Sequence, residues 1–299
     1  MNTRRVAVTG AGGFIGRALV ARLAENGRAL RLHAGPPGAP GPADAARFAI
    51  DDAAAVRAFV RSVDCVVHLA GHPDIRASVN APQACLRAHV TGTALVAAAA
   101  AECGAALVYV SSAAARAPEA GERPVRPTTP YAAAKRAGEA IVRAYAGVVP
   151  VLILRPANVY GVGAHRETLI AELCRAAAFG APVAARVPSA PVEPIHVDDV
   201  AAALAQAVDR VASLASGDCL ELGPGGVLTA GDVAARVARL ARAPDEEAPE
   251  PSPIGTEALR ARRALGWTPT VTLDAGLRAL VRAERTGSGP AGLDVDTQV

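Results

Sequence analysis

The chain is poor in the side chains that most often anchor a hydrophobic core by size. Of its 299 residues 3% are aromatic, with one Trp, four Tyr and four Phe, and there is a single Met. Yet 51% of the residues are apolar, so the core has to be assembled from Ala, Val, Leu and Ile. An excess of charge of one sign is lacking too. Lys and Arg number 31 against 28 Asp and Glu, a formal net charge of +3, and no long basic run with interleaved aromatics occurs, which sets nucleic-acid binding aside. No apolar run reaches the ~18 residues a membrane span needs; the longest, Ala94 to Ala101, is cut at Glu102. Arg4-Arg5 followed by Val6-Ala7-Val8 does not read as an export signal, because Thr9, Gly10, Gly12, Gly13 and Gly16 interrupt any hydrophobic region and Arg17 ends it. The five cysteines, Cys65, Cys85, Cys103, Cys174 and Cys219, form no C-x-x-C pair and have no His at metal-ligand spacing, so a reduced, cytoplasmic setting without a metal is expected.

What is present is alternation. Strand-like runs at Arg5–Thr9, Ala29–His33, Arg47–Ile50, Cys65–Ala70, Ala106–Ser111 and Pro150–Leu154 are separated by long Ala/Leu/Val helical stretches. That order predicts an α/β fold of the doubly wound, Rossmann type, a parallel sheet with helices on both faces. Residues 1–160 are expected to form the dinucleotide-binding domain, its sheet completed by part of 192–212. Residues 161–284, with short strands at Leu220–Leu222 and Val271–Leu273, form a smaller substrate-binding domain, and 285–299 read as a disordered tail. Gly35–Pro42 and Ala243–Gly255 are loops by composition.

The strand Arg5–Thr9 runs into Gly10-Ala11-Gly12-Gly13-Phe14-Ile15-Gly16 and then a helix. Glycines at 10, 13 and 16 permit a tight turn, a close approach of backbone N–H groups to a pyrophosphate, and close helix–strand contact. About 20 residues on, an acid usually holds the adenosine ribose. Here the position is His33-Ala34-Gly35, with no carboxylate and no adjacent base, so NAD and NADP stay open. Asp51-Asp52 are read two ways, as acceptors for the adenine amine or as a helix N-cap. His68 reads as a packed strand residue. Tyr131 and Lys135 stand at i,i+4, which on a helix places phenol and ammonium on one face. A cation beside a phenol favours the phenolate, as a general base working near neutrality needs. Upstream, Val108-Tyr109-Val110-Ser111-Ser112 ends a strand that opens to the same crevice.

In order, TGAGGFIG, DCVVHLAG, VYVSS, PYAAAK with Glu139 after it, LRPANVYG, IHVDDVA and ALRARRALGWTPTVTLDAGL make the chain resemble an extended short-chain dehydrogenase/reductase of the NAD-dependent epimerase/dehydratase family over nearly its whole length. The resemblance implies that Tyr131 is the acid/base, that Lys135 binds the nicotinamide ribose and tunes Tyr131, and that Ser112 hydrogen-bonds the reacting oxygen. It further implies that Gly10, Gly13, Phe14, Ile15 and Gly16 hold the pyrophosphate, that Leu69, Ala70 and Gly71 line the adenosine side, that Pro156 lies near the nicotinamide, and that Asn158 contacts substrate. NAD or NADP, a nucleotide sugar or related metabolite, and a homodimer follow as cofactor, substrate and partner.

The departures are equally specific. Ala115-Arg116-Ala117 stands where the family continues into Tyr-Gly, His89 replaces the Asn of its helix motif, and Ala113-Ala114 replaces the Asp-Glu pair of dehydratases. Without an acid placed to protonate a leaving hydroxyl, 4,6-dehydration is not expected. Val192 stands where many sugar-nucleotide enzymes of the family hold a diphosphate with Arg. Loss of such a contact is worth roughly 1.5–3 kcal/mol, unless Arg166, Arg175 or Arg186 replaces it. Asp198-Asp199 are expected to cap and orient the following helix, and the interval from Asn158 to His196 reads as short for the family. Hydride transfer at a secondary alcohol or ketone carbon, by a C4 epimerase or a 4-ketoreductase, is the leading expectation. A ketoreductase on a nucleotide-free metabolite is the second, and a non-catalytic dinucleotide-binding regulator the third.

Overall fold

The computed structural model describes residues 4–71, 75–116, 129–242 and 256–287. Its elements run β1 (Arg5–Thr9), α1 (Phe14–Glu25), β2 (Ala29–His33), α2 (Ala53–Val60), β3 (Cys65–His68), α3 (Ile75–Asn80), α4 (Pro82–Leu86), a π-helical turn (Arg87–Thr91), α5 (Gly92–Cys103), β4 (Ala106–Val110), a 3-10 turn (Ala113–Ala115), α6 (Pro130–Arg143) and β5 (Val151–Pro156). Then follow β6 (Asn158–Tyr160), α7 (Leu169–Ala178), β7 (Pro191–Val192), β8 (Pro194–His196), α8 (Val197–Arg210), β9 (Asp218–Leu222), β10 (Leu228–Thr229), α9 (Ala230–Arg242), α10 (Thr256–Leu265) and α11 (Leu273–Thr286).

The residues fall into two compact units. The first comprises 1–157, 201–222 and 260–267 and contains a six-stranded sheet in the order β2-β1-β3-β4-β5-β9, every pairing parallel. Strands of a sheet covered on both faces read as nearly unbroken apolar runs, and β3, β4 and most of β5 do. On one face Ala7, Val66, Leu107, Tyr109 and Ile153 pack against Val56 and Phe59 of α2, Val96, Ala97 and Ala100 of α5 and Val142 of α6. Among the described residues Pro82–Cys103 is the one helical run long and apolar enough to cross a membrane by length and composition; its Val96, Ala97 and Ala100 belong to this core. Alanine on α5 supplies little area per residue but lets the helix lie close to the strands.

Three sequence expectations are corrected here. Residues 47–50 are not a strand: Ala46 makes a single bridge to His33, and Phe48 N then donates to the carbonyl of Gly35 (2.9 Å). Gly35, with φ +113°, turns the backbone out of ladder geometry there, so pairing stops after one bridge. The sheet is completed by β9 at 218–222 rather than by part of 192–212, whose residues from Val197 on are helical and whose Pro194–His196 pairs with β6. Val271–Leu273 is a bend that leads into α11, with Thr272 as N-cap. Of the expected tail, Arg285 and Thr286 end α11, and 288–299 lie outside the described residues, as do 243–255.

The second unit comprises 158–200, 223–259 and 268–299. Its core joins α7, α9 and α11 through Leu173, Cys174, Val233, Val237, Leu277 and Leu280. Tyr160 is buried in it, its hydroxyl 3.4 Å from the carbonyl of Leu273, and Gly276 leaves the room that the Tyr160 ring fills.

Candidate active site

The glycine loop is built by exclusion. Gly10 has φ +74°, and a Cβ there would press on the backbone nitrogen of Ala70 at 2.9 Å. A Cβ at Gly16 would collide with the carbonyl of Gly10. Gly13 is the N-cap of α1 without a side-chain cap, and the first turn holds no acid. The first N–H groups of α1, on Phe14 and Ile15 among them, are thus left to an external acceptor at the positive end of a twelve-residue helix, an arrangement that fits a dinucleotide pyrophosphate. Beside the loop, Ala11 N donates to the carbonyl of His33 (2.8 Å). His33 itself turns to Phe48 and Phe59, and burial lowers its pKa. Arg47 donates from Nη2 to the carbonyls of Gly41 and Pro42 at 3.4 and 3.2 Å, and its buried Nη1 has no hydrogen-bond partner among the described residues.

The end of β3 is held by a buried chain. The Thr9 hydroxyl oxygen accepts from Leu69 N and Ala70 N, each at 3.2 Å, and lies 2.7 Å from His68 Nδ1. His68 Nε2 lies 3.1 Å from the Thr93 hydroxyl, which donates to the carbonyl of His89 (2.7 Å). Because Thr93 gives its proton away, its oxygen accepts from His68 Nε2–H, and Nδ1 accepts from Thr9. This tautomer is neutral, in keeping with a pKa that burial pushes far down. His68 therefore acts as a packed strand residue that fixes the Leu69–Gly71 turn.

Tyr131 and Lys135 share one face of α6, whose start is fixed by Pro130, by the Thr129 cap on Ala132 N (3.2 Å) and by Ser78, whose hydroxyl accepts from Tyr131 N (3.3 Å). Lys135 Nζ donates to the carbonyl of Val110 (2.8 Å) and stands 6.0 Å from the centroid of the Tyr131 ring. Burial pushes the ammonium down to about 8, while Cys85 and Glu139 work the other way. Burial also raises the Tyr131 phenol, and a hydrogen bond with Ser112 opposes it. The ring of His89 meets that of Tyr131 edge-on at 5.4 Å, and Gly71 has no Cβ because one would enter the His89 ring.

The tandem serines point to different partners. Ser112 accepts from Ala114 N (3.2 Å) and begins the 3-10 turn, whereas buried Ser111 donates to Glu139 Oε1 (2.6 Å). Of the other expected site residues, Asp52 takes the second of its two readings and caps α2 through Ala54 N and Ala55 N at 3.0 and 3.1 Å. Asp51 lies 3.8 Å from Arg87, and Pro156 ends β5, paired with Leu222. In the second unit Asn158 Oδ1 accepts from Glu193 N (2.9 Å). Val192 is buried in the hydrophobic core there, and Arg186 pairs with Glu172 at 3.3 Å. Asp199 does not cap α8; its carboxylate accepts from Thr270 N (2.7 Å) and Val271 N (3.2 Å) and anchors that segment. Sequence reading passed over Ser78, Thr9, Arg155 and Glu221. The signal for the last two was a charge between apolar residues in the buried part of a strand, Arg155 in VLILRP and Glu221 in DCLEL.

Fold and site together define a dinucleotide-dependent α/β enzyme of the short-chain dehydrogenase/reductase type. The chain belongs to the NAD-dependent epimerase/dehydratase family, whose model matches residues 6–223, and is an NAD(P)-dependent enzyme of the extended branch. It is similar to MoeE5 solved in complex with UDP-glucose and NAD, at 27% identity over 95% of this chain and 100% of that one, with a TM-score of 0.77. The UDP-glucose 4-epimerase of Thermus thermophilus, solved with NAD, is 27% identical over 94% of this chain and 99% of that one, with a TM-score of 0.74. The UDP-glucose 4-epimerase of Thermotoga maritima, at 22% identity, 95% and 99% coverage and a TM-score of 0.79, shares the fold. The chain thus matches these structures over nearly their whole length. No curated protein matches it in sequence.

Proposed function

We propose that the protein moves a hydride at a secondary alcohol or ketone carbon of a nucleotide sugar, as a C4 epimerase or a 4-ketoreductase and not as a 4,6-dehydratase. The observation that carries this reading is the set of Ser112, Tyr131 and Lys135 beside the carboxyl end of β4, with only alanines at 113 and 114. The nicotinamide, when bound, accepts or returns the hydride. Everything else falls to the chain. Ser112 Oγ donates a hydrogen bond to the reacting oxygen, and the Tyr131 phenol oxygen takes the hydroxyl proton as the carbon is oxidised and returns it on reduction. Lys135 Nζ, buried and already held by the carbonyl of Val110, orients the nicotinamide ribose and keeps a positive charge near the phenolate. A dehydratase would need a further acid for the leaving hydroxyl, and neither Ala113 nor Ala114 supplies one. The nucleotide-sugar assignment draws support from MoeE5, solved with UDP-glucose and NAD.

Val192 favours a second reading, a ketoreductase acting on a nucleotide-free substrate. Its side chain is buried among apolar neighbours, so this position offers no charge to a diphosphate. Thermal-shift measurements with NAD⁺ present separate the two. UDP-glucose or another nucleotide sugar at micromolar concentration should raise the melting temperature; protection by nucleotide-free ketones alone would replace the first reading with the second.

A further inference from the structure

We propose that Arg116 is a positioning residue for Ser112 and, through it, for Tyr131, because it closes a ring of charge-assisted hydrogen bonds that begins and ends on α6. The ring starts at Glu139, whose carboxylate accepts both arms of Arg155 on β5, Nε at 2.7 Å and Nη2 at 2.6 Å. Arg155 Nη1 reaches Glu221 Oε1 on β9 (3.1 Å). The other oxygen of Glu221 accepts Arg116 Nε and Nη2 at 3.0 and 2.9 Å. From the backbone of Arg116 the path returns to α6, where Arg136 donates from Nη2 to the carbonyl of Arg116 (2.5 Å) and from Nε to that of Ala115 (3.3 Å). Ser111 adds a spoke to Glu139, and Arg143 a second at 3.4 Å.

Among the described residues the turn that carries Ser112 has few polar side chains of its own to anchor it. Ala113, Ala114 and Ala115 bring no polar side chain, and the turn's own bonds are Ala114 N to Ser112 Oγ, Ala115 N to the carbonyl of Ser112 and Arg116 N to the carbonyl of Ala113. Among the described residues its charge-assisted attachments to β9 and to α6 are the guanidinium of Arg116 and the two carbonyls held by Arg136, beside the buried Ala115 and the hydrogen bond of Ser112 with Tyr131. The gradient of burial points the same way. Side-chain exposure is 1% at Glu139, 17% at Arg155, 10% at Glu221 and 48% at Arg116, so the ring runs outward from a dry carboxylate to a half-exposed cation at the turn. Multiply bonded carboxylate–guanidinium contacts fix geometry as well as energy, and a closed ring transmits that geometry from α6 to the turn by two routes. Arg116 thus takes a defined place where the family has Tyr-Gly.

Removal of Arg116 leaves Glu221 with one partner and the turn with one route. Ser112 then drifts from the phenol, and Tyr131 loses the hydrogen bond that works against its burial. The glycine loop, which lies on other elements, is unaffected. The inference rests on Tyr131 as the acid/base group but on no substrate. Its test is the near-ultraviolet tyrosinate titration of wild type, Arg116→Ala, Arg116→Lys and Glu221→Gln, each corrected by subtraction of its Tyr131→Phe counterpart, with NADH binding followed in parallel. Arg116→Ala and Glu221→Gln should titrate Tyr131 about one pH unit higher, the worth of a single hydrogen bond. Arg116→Lys should recover part of that shift, and NADH affinity should stay within about twofold. Folded variants that titrate Tyr131 at the wild-type pH, with or without a lower melting temperature, would overturn the proposal. If Arg116→Ala does not fold, Arg116→Lys and Glu221→Gln decide it by the same criterion.

Discussion

Side-chain identity at the site is set by what each residue cannot be. Gly10 and Gly16 are glycines because a Cβ would enter the neighbouring backbone, and Gly71 because it would enter the ring of His89. Such exclusions leave a trace in sequence as spacing, which is why the glycine loop and the Tyr131–Lys135 pair were legible there. The state of those residues was not, since it depends on burial. The phenol is raised rather than lowered, and the ammonium is pushed down to about 8. The sign of the resulting pH dependence is fixed. Below pH about 8 the native chain carries a buried ammonium at a cost; between about 8 and 10.5 only the unfolded chain is protonated, so stability rises with pH and the cost is gone above that window. Lys135→Met should therefore gain in melting temperature relative to wild type at neutral pH, and the gain should shrink as pH rises through the window. A difference that does not vary with pH would show that the ammonium is not buried in solution.

At the level of elements, local chemistry decided most outcomes. The apolar runs of β1, β3, β4 and β5 were readable because a parallel strand covered on both faces admits little else. The segment 47–50 misled because its composition suits a strand while Gly35, twelve residues upstream, turns its partner backbone away. Asp52 had two readings that only geometry could separate, and its carboxylate faces the first N–H groups of α2. The joint between α6, β5 and β9 was invisible as a unit, because Glu139, Arg155 and Glu221 are far apart in sequence and meet only in the folded sheet. Burial alone would raise the Glu139 carboxyl, yet hydrogen bonds from Arg155 and Ser111 and the charges of Arg155 and Arg143 hold it below its ordinary value. A buried carboxylate that loses its cation is costly, about 3–5 kcal/mol. Arg155→Met should destabilise the protein by that order in chemical denaturation at neutral pH. The loss should diminish under acid, as Glu139 becomes protonated and no longer needs the cation. A change below about 1 kcal/mol, the range of exposed ion pairs, would mean that water already reaches the pair.

For the molecule as a whole, scarcity of aromatics proved compatible with a well-formed core, because helices rich in alanine lie close to strands of Val, Leu and Ile. The order of motifs carried the fold class and the family; the six-stranded parallel sheet bears out the first and the match over residues 6–223 the second. What order could not carry was the sixth strand, which enters from 218–222 after a helix and not from the stretch before it. Substrate contacts were the least legible feature, since they depend on single positions such as Val192 whose side chains face a core in one protein and a ligand in another. The proposed chemistry nonetheless makes one demand that no structural role can imitate. Purified protein loaded with NAD⁺ and mixed with UDP-glucose should develop the near-ultraviolet absorbance of reduced nicotinamide, and Tyr131→Phe, which keeps the fold and the cofactor, should lose that signal by about 10²-fold or more, the usual worth of a positioned acid/base. Equal signals from wild type and Tyr131→Phe, or oxidation of NADPH by nucleotide-free ketones with no response to any nucleotide sugar, would contradict it.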